Sequence, residues 1–239
     1  MLLASGPSTA ALVASPVLTA VRRGALARIE EVTRCLPEVQ DALVSILSDR
    51  RVSVPELGDH AEHARPGFNV IATANLRDRG VSEMSAALKR RFNFETVPPI
   101  ADAARETALV KTKAKTALER VGEELRVDDA VLEVIVTAFR DLRTGRSAEG
   151  WGVEKPSTVM STAEAVGVAT ACGLASSYFT SGRDPLTLVP GYLLGVVMKD
   201  DPKDRGRLLA YWDGAVKRRA AEARVWKQLL ELRKVLEEG

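Results

Sequence analysis

Ala25-Leu26-Ala27-Arg28-Ile29-Glu30-Glu31 is a short apolar run that delivers two carboxylates at its end. Further along, Phe68-Asn69-Val70-Ile71-Ala72-Thr73-Ala74-Asn75 is a second run, and it ends in an amide. Short, nearly continuous apolar runs that stop at polar residues suit the strands of a parallel sheet, with Asn69–Ala74 reading as a buried strand. Leu88-Lys89-Arg90-Arg91-Phe92 then closes a helical pattern that begins at Val81. Two acids at one strand end, an Asn at the next and arginines after the following helix form a constellation suited to nucleotide hydrolysis.

The rest of the chain organises around these runs. Val17 to Ala27 reads as a strand, a turn at Arg23-Gly24 and a second strand. Pro37 opens a helix to about Asp49, at a first-turn position where its missing N–H costs nothing. Val39, Leu43, Ile46 and Leu47 fall on one face of that helix. Arg51-Val52-Ser53-Val54-Pro55 alternates like a strand and, with the polar loop Glu56 to Pro66, suggests a small hairpin. Phe92 to Val97 reads as a last strand, stopped by Pro98-Pro99. Beyond it the period becomes helical: Asp102 to Leu125, Asp128-Asp129 to Leu142, Pro156 to about Phe179, and Leu186 to Met198. The proline-free tail from Lys203 reads as a C-terminal helix. Strands with helices followed by helices alone predict an α/β domain followed by an all-α one. The expected divisions are residues 1–98, 99–200 and 201–239.

Composition constrains function only loosely. At 239 residues, 46% hydrophobic and 28% charged, the chain can build a sizeable core. A net charge of +2 gives no case for nucleic acid or a membrane surface. Cys35 and Cys172 lack metal-type spacing and read as reduced thiols of a cytoplasmic protein. Met1-Leu2-Leu3-Ala4 has no preceding positive charge and is interrupted by Gly6-Pro7-Ser8, so it does not read as an export signal. Ala163 to Phe179 is too short to span a bilayer.

Hydrolysis of a nucleoside triphosphate needs a metal against the phosphates, an oriented water and positive charge as the bond breaks. Glu30 and Glu31 stand where a strand runs out, the usual ligand position in an open parallel sheet. One could hold Mg²⁺ and the other orient water; equally, an acidic pair favours the start of a following helix through its dipole. Asn75 could hold the water from the other side, or serve as a turn residue. Arg90 and Arg91 could supply transition-state charge, or complement a helix C-terminus. His60 and His63, with Asp59 and Glu62, could be called a metal site, but two histidines in a polar loop are not a ligand set. Lys217-Arg218-Arg219 reads as a solvated helix face. Val225, Leu229, Leu232 and Leu236 have coiled-coil spacing over too short a span, and packing on the helical domain is the default.

Taken together, these motifs resemble the second half of an AAA+ ATPase core, most nearly the MoxR-like branch. Ala27-Arg28-Ile29-Glu30-Glu31 resembles a Walker B strand and Val70-Ile71-Ala72-Thr73-Ala74-Asn75 a sensor-1 strand. Leu88-Lys89-Arg90-Arg91-Phe92 resembles an arginine-finger helix end. The resemblance implies a partial P-loop sheet domain with a helical lid, using ATP and Mg²⁺. It assigns Glu30 to the metal, Glu31 to catalysis, Asn75 to sensing, and Arg91 or Arg90 to a neighbouring subunit. Lys155 stands near where a sensor-2 Arg is expected, as a charge without the bidentate fork.

No G-x-x-x-x-G-K-[ST] phosphate cradle occurs in the 239 residues. The sequence thus suggests an incomplete core, with a pseudo-enzyme beginning at Met1 as the alternative. The first implies ATP-driven remodelling of a protein client, with a von Willebrand A domain protein as a candidate, by a homo-oligomeric, hexameric ring. The second implies a non-hydrolysing structural or adaptor subunit.

Overall fold

Ser15 and Pro16 start a helix where the sequence pattern suggests a strand. In the computed structural model, which describes residues 6–58, 60–75, 84–178 and 184–238, helix α1 spans Pro16–Arg23. The Leu18 N–H donates to the Ser15 hydroxyl at 3.1 Å, Pro16 occupies the first turn, and Gly24 ends the helix with φ 66°. This cap–proline–glycine grammar outweighs the apparent alternation of Val17, Thr19 and Val21. Gly24 is also required sterically, because a Cβ there would lie 2.2 Å from the Pro66 carbonyl oxygen.

The described residues divide into two units, one up to Thr96 and the other from Val97. In the first, β1 (Leu26–Ile29) pairs in parallel with β4 (Asn69–Ala72), in the register Leu26 to Asn69 through Ile29 to Ala72. Between them run α2 (Pro37–Asp49) and an antiparallel hairpin of β2 (Arg51–Ser53) and β3 (Ala61–His63). The predicted helix and hairpin are therefore present. Leu43 is buried and Ile46 and Leu47 partly so, but Val39 faces out.

Two strand expectations change. Val70 is buried but Ile71 is 52% exposed, and Leu26 on β1 is 61% exposed. Among the described residues one face of the pair is covered, by residues that include Val21, Ile46 and Leu47, so burial alternates along both strands. Phe92 to Val97 forms no strand; among the described residues nothing lies alongside to complete a hydrogen-bond ladder. Phe92 instead packs on the cores of the first unit. The helix expected from Val81 is described as α3 (Ala86–Lys89), with Ser85 as its cap; residues 81–83 lie outside the described residues. Buried Gln40 places this helix, accepting from the Ser85 N–H and donating to the Cys35 carbonyl, both at 3.3 Å.

The second unit is helical: α4 (Ala103–Glu119), α5 (Asp129–Thr144), α6 (Thr162–Tyr178), α7 (Val189–Val197), α8 (Asp204–Tyr211), α9 (Lys217–Arg219), α10 (Arg224–Glu231) and α11 (Val235–Glu238). The first of these stops short of Leu125, with Gly122 at φ 79° in the turn that follows. The helix expected from Pro156 begins only at Thr162. Met160 sits at φ 54°, and Ser161 with Glu164 forms a reciprocal cap, the two N–H bonds measuring 2.7 and 3.2 Å. The tail is not one helix. A π-helical turn spans Trp212–Val216, and a break precedes Arg224. Its Trp212, Leu229 and Leu236 lie in the same core as Phe139 and Val168, while Val225 and Leu232 pack against that core.

Arg219 overturns the solvated-face reading of Lys217-Arg218-Arg219. It is buried, with Nη1 donating to Asp141 at 2.6 Å and Nε and Nη2 to Glu149 at 2.8 and 2.6 Å. Its guanidinium stands 4.8 Å from the Trp226 ring centre and 5.7 Å from that of Trp151. The Tyr211 hydroxyl also donates to Asp141, at 3.0 Å. Removing one partner strands a buried charge, at a cost of about 3 to 5 kcal/mol. Urea unfolding of Arg219→Leu is expected to show a loss of about 3 kcal/mol, with Asp141→Asn in the same chain restoring part of it.

The hydrogen bonds from Arg219 lower the Glu149 pKa from 4.5 to about 2. A depressed carboxylate stabilises the fold above its unfolded value and loses that contribution as pH falls through the folded one. Between pH 4.5 and about 2, Glu149→Gln should therefore lose stability less steeply than the parent chain on acidification, as read by thermal melts across that window.

Candidate active site

Parallel pairing puts the carboxyl ends of β1 and β4 side by side. Two hydrogen bonds extend the contact past the strands: Thr73 N–H donates to the Ile29 carbonyl, and Val32 N–H to the Thr73 carbonyl, both at 2.9 Å. Glu30 and Glu31 follow one strand, and Thr73 and Asn75 the other. All four are solvent-exposed.

Thr73 joins the acids. Its hydroxyl donates to Glu30 Oε2 at 2.5 Å and accepts from the Glu31 N–H at 3.1 Å. Arg28 forms an ion pair with Glu30. The Thr73 hydrogen bond, with help from Arg28, lowers the Glu30 pKa below the ordinary 4.5 and keeps the carboxylate charged at neutral pH. Glu31 adopts a left-handed backbone, φ 51° and ψ 50°, and its carboxylate pairs with Arg34 at 2.5 Å. For a residue with a Cβ that conformation is strained, and such strain concentrates at functional positions.

The arginines divide. Arg90 is exposed at the C-terminal end of α3. Arg91 Nη1 donates to the Ala87 carbonyl at 2.6 Å, and its Nε donates to the Ser48 hydroxyl. Arg91 thus ties α3 to α2. Lys155 lies in the second unit, exposed, its stem so close to Gly145 that a Cβ on that glycine would meet Lys155 Cγ at 2.9 Å. Of the residues singled out from sequence, Glu30 and Glu31 meet at one strand end through Thr73, and Asn75 follows Thr73 by two residues. Thr73 escapes a reading of the sequence as a functional group because its polar side chain sits inside an apolar run.

The donor set fits Mg²⁺. Carboxylate and amide oxygens are hard ligands, and this ion commonly takes one or two carboxylates plus substrate phosphates and waters. Among its described residues the histidine loop builds no metal site. Glu62 accepts from Arg22 Nη2 at 2.5 Å and lies 3.3 Å from His60 Nε2, while Asp59 lies outside the described residues. Among the described residues no three potential His, Cys, Asp or Glu ligands gather. Both cysteines are free thiols, and burial pushes the Cys172 pKa up to about 12.

Residues 2–92 match the model of the AAA domain of the dynein-related subfamily. Residues 104–237 match that of the YehL-like AAA+ ATPase C-terminal domain.

This chain belongs to the YehL-like AAA+ ATPases.

It is similar to the uncharacterized protein YehL of Escherichia coli, at 47% identity over 220 residues, covering 90% of this chain and 60% of that protein. An uncharacterized protein of Staphylococcus haemolyticus is 33% identical over 54% of this chain and 45% of its own length. One from Staphylococcus aureus is 32% identical over 59% of this chain and 49% of its own. The chain thus spans about half to three-fifths of the relatives it matches. Among the described residues of this AAA+ chain, no helix is long and apolar enough to cross a membrane.

The Arg91–Ser48 bond predicts energetic coupling between α3 and α2. A double-mutant cycle of Arg91→Ala and Ser48→Ala should give about 0.5 to 1 kcal/mol of coupling in urea melts, whereas Arg90→Ala with Ser48→Ala should give none.

Proposed function

We propose that this chain supplies the hydrolysis half of a MoxR-like AAA+ ATPase whose phosphate cradle comes from outside these 239 residues. The observation that supports the reading is the parallel register, which brings Glu30 and Glu31 to Thr73 at one end of a strand pair within a matched AAA domain, with Asn75 two residues further on. In this reading Glu30, charged at neutral pH, holds Mg²⁺. The ion held there would supply positive charge against the charge developing on the phosphoryl oxygens. Glu31 orients the attacking water and takes its proton, and Asn75 fixes the water from the adjacent strand end. Arg91, exchanging its bond to Ser48, or the exposed Arg90, reaches the nucleotide of a neighbouring subunit. Lys155 provides charge in place of a sensor-2 Arg. The working assembly is a hexameric ring that remodels a protein client, and a von Willebrand A domain protein is one candidate.

A second reading has an observation in its favour. Glu30, Glu31 and Arg91 are each engaged within their own unit, by Arg28, Arg34 and Ser48. A structural or adaptor subunit needs no more than that.

Turnover separates the two readings. In the full-length protein, phosphate-binding loop included, Glu31→Gln should lower kcat by about 10²-fold or more while ATP stays bound, because the amide keeps shape and loses the basic charge. Near-normal turnover would remove Glu31 from catalysis, and a parent protein without ATP turnover would favour the structural reading. Arg91→Ala should also lower kcat, by about 10³-fold if it is the finger, and mixing it with Glu31→Gln subunits should recover activity at interfaces that pair two intact residues. Demonstrated subunit mixing without recovery would move the role to Arg90 or remove it.

A further inference from the structure

We propose that Thr73 is a positioning residue for both acids, its hydroxyl aligning the Glu30 carboxylate while Thr73 as a whole fixes the backbone of Glu31. The inference rests on the ATPase reading and deepens it.

The directions of the hydrogen bonds are forced. An ionised Glu30 only accepts, and a backbone N–H only donates. The Thr73 hydroxyl therefore gives its one proton to Glu30 Oε2, at 2.5 Å, and offers a lone pair to the Glu31 N–H, at 3.1 Å. The Thr73 carbonyl takes the Val32 N–H at 2.9 Å. One residue thus grips the chain on both sides of the Glu31 Cα, through the amide before it and the amide after it. Those two bonds bracket the φ 51°, ψ 50° conformation that Glu31 would not adopt on its own. The backbone conformation in turn sets the direction in which the Glu31 side chain leaves the strand end. A side chain at this position without a hydrogen-bonding group releases the first grip and keeps the second. The Glu31 carboxylate can then wander by an ångström or so, enough to cost about 10²-fold in rate when a water must be aligned.

The test is a kinetic series in the full-length protein with its phosphate-binding loop: Thr73→Ser, Thr73→Val and Thr73→Cys, with Glu31→Gln as the reference. Serine keeps both hydroxyl bonds and should retain kcat within about twofold. Valine matches threonine in shape, loses both bonds, and should lower kcat by about 10- to 100-fold with the KM for ATP within about threefold. A merely structural role would move the unfolding midpoint instead, without a split between kcat and KM. If the valine variant does not fold, cysteine, a poor hydrogen-bonding replacement for serine, carries the comparison. Valine or cysteine turning over like serine while Glu31→Gln is dead would overturn the positioning role and leave the ATPase reading standing. An active Glu31→Gln would instead overturn the catalytic role of Glu31, and the role of Thr73 with it, whereas an intact parent protein that turns over no ATP would overturn the ATPase reading itself.

Discussion

The parallel register of β1 on β4 is the constraint on which the functional surface depends. A shift of one residue in either strand would turn Ala27 or Val70 out of the core and expose apolar surface in its place. It would also separate Glu30 from Thr73, since the side chains at the strand ends would alternate out of phase. The covered face therefore sets the chemistry of the uncovered end. Burial of a few small and β-branched residues against α1 and α2 decides which polar groups meet past the last ladder bond. The same register explains the Thr73–Ile29 and Val32–Thr73 backbone bonds, which carry the pairing into the loop and hold the acids at a defined separation.

The two units use their charged groups differently. The first places its charges at the surface, where Glu30 and Glu31 can change partners at small cost. Exposed ion pairs such as Arg28–Glu30 are weak and screened, so they do not bar a stronger cation from the carboxylate. The second unit buries charge. Glu106, fully buried, is held by Arg140 at 2.7 Å, Arg143 at 2.9 Å and Thr162 at 2.6 Å, while Asp141 and Glu149 share Arg219. Arg140 also binds the Ile100 and Ala101 carbonyls, at 2.9 and 2.6 Å. The first residues of the helical unit are thereby anchored to α5. Buried, fully hydrogen-bonded charges of this kind specify one packing more than they add stability.

Much of this is legible from residue types and spacing. Pro37 with Leu43, Ile46 and Leu47 marks α2, the alternation at Arg51–Ser53 marks the hairpin, and the apolar run at Asn69 marks a strand. The acids and Asn75 are legible as strand-end groups, because a polar residue that stops an apolar run marks where a buried strand reaches solvent. Where the sequence misleads, local signals compete or a partner is missing. At Ser15-Pro16, capping outweighs periodicity; at Pro156, a proline suggests a helix start although the cap lies at Ser161 and Glu164. Phe92 to Val97 has strand composition, but composition cannot provide a partner.

The sequence by itself determined that a part with strands and helices precedes a helical one, and that the acids and the amide stand at the ends of apolar runs. These are local properties, set by periodicity, caps and turn residues within a few positions of one another. Only the tertiary structure decided that Thr73 bridges the two acids, that Glu31 takes a left-handed backbone, that Arg91 binds Ser48, and that Arg219 is buried between Asp141 and Glu149. Each of those facts joins residues some forty to seventy or more positions apart. Such contacts follow from strand register and helix packing, and no local pattern of side chains encodes the partner that a polar group will meet across a core.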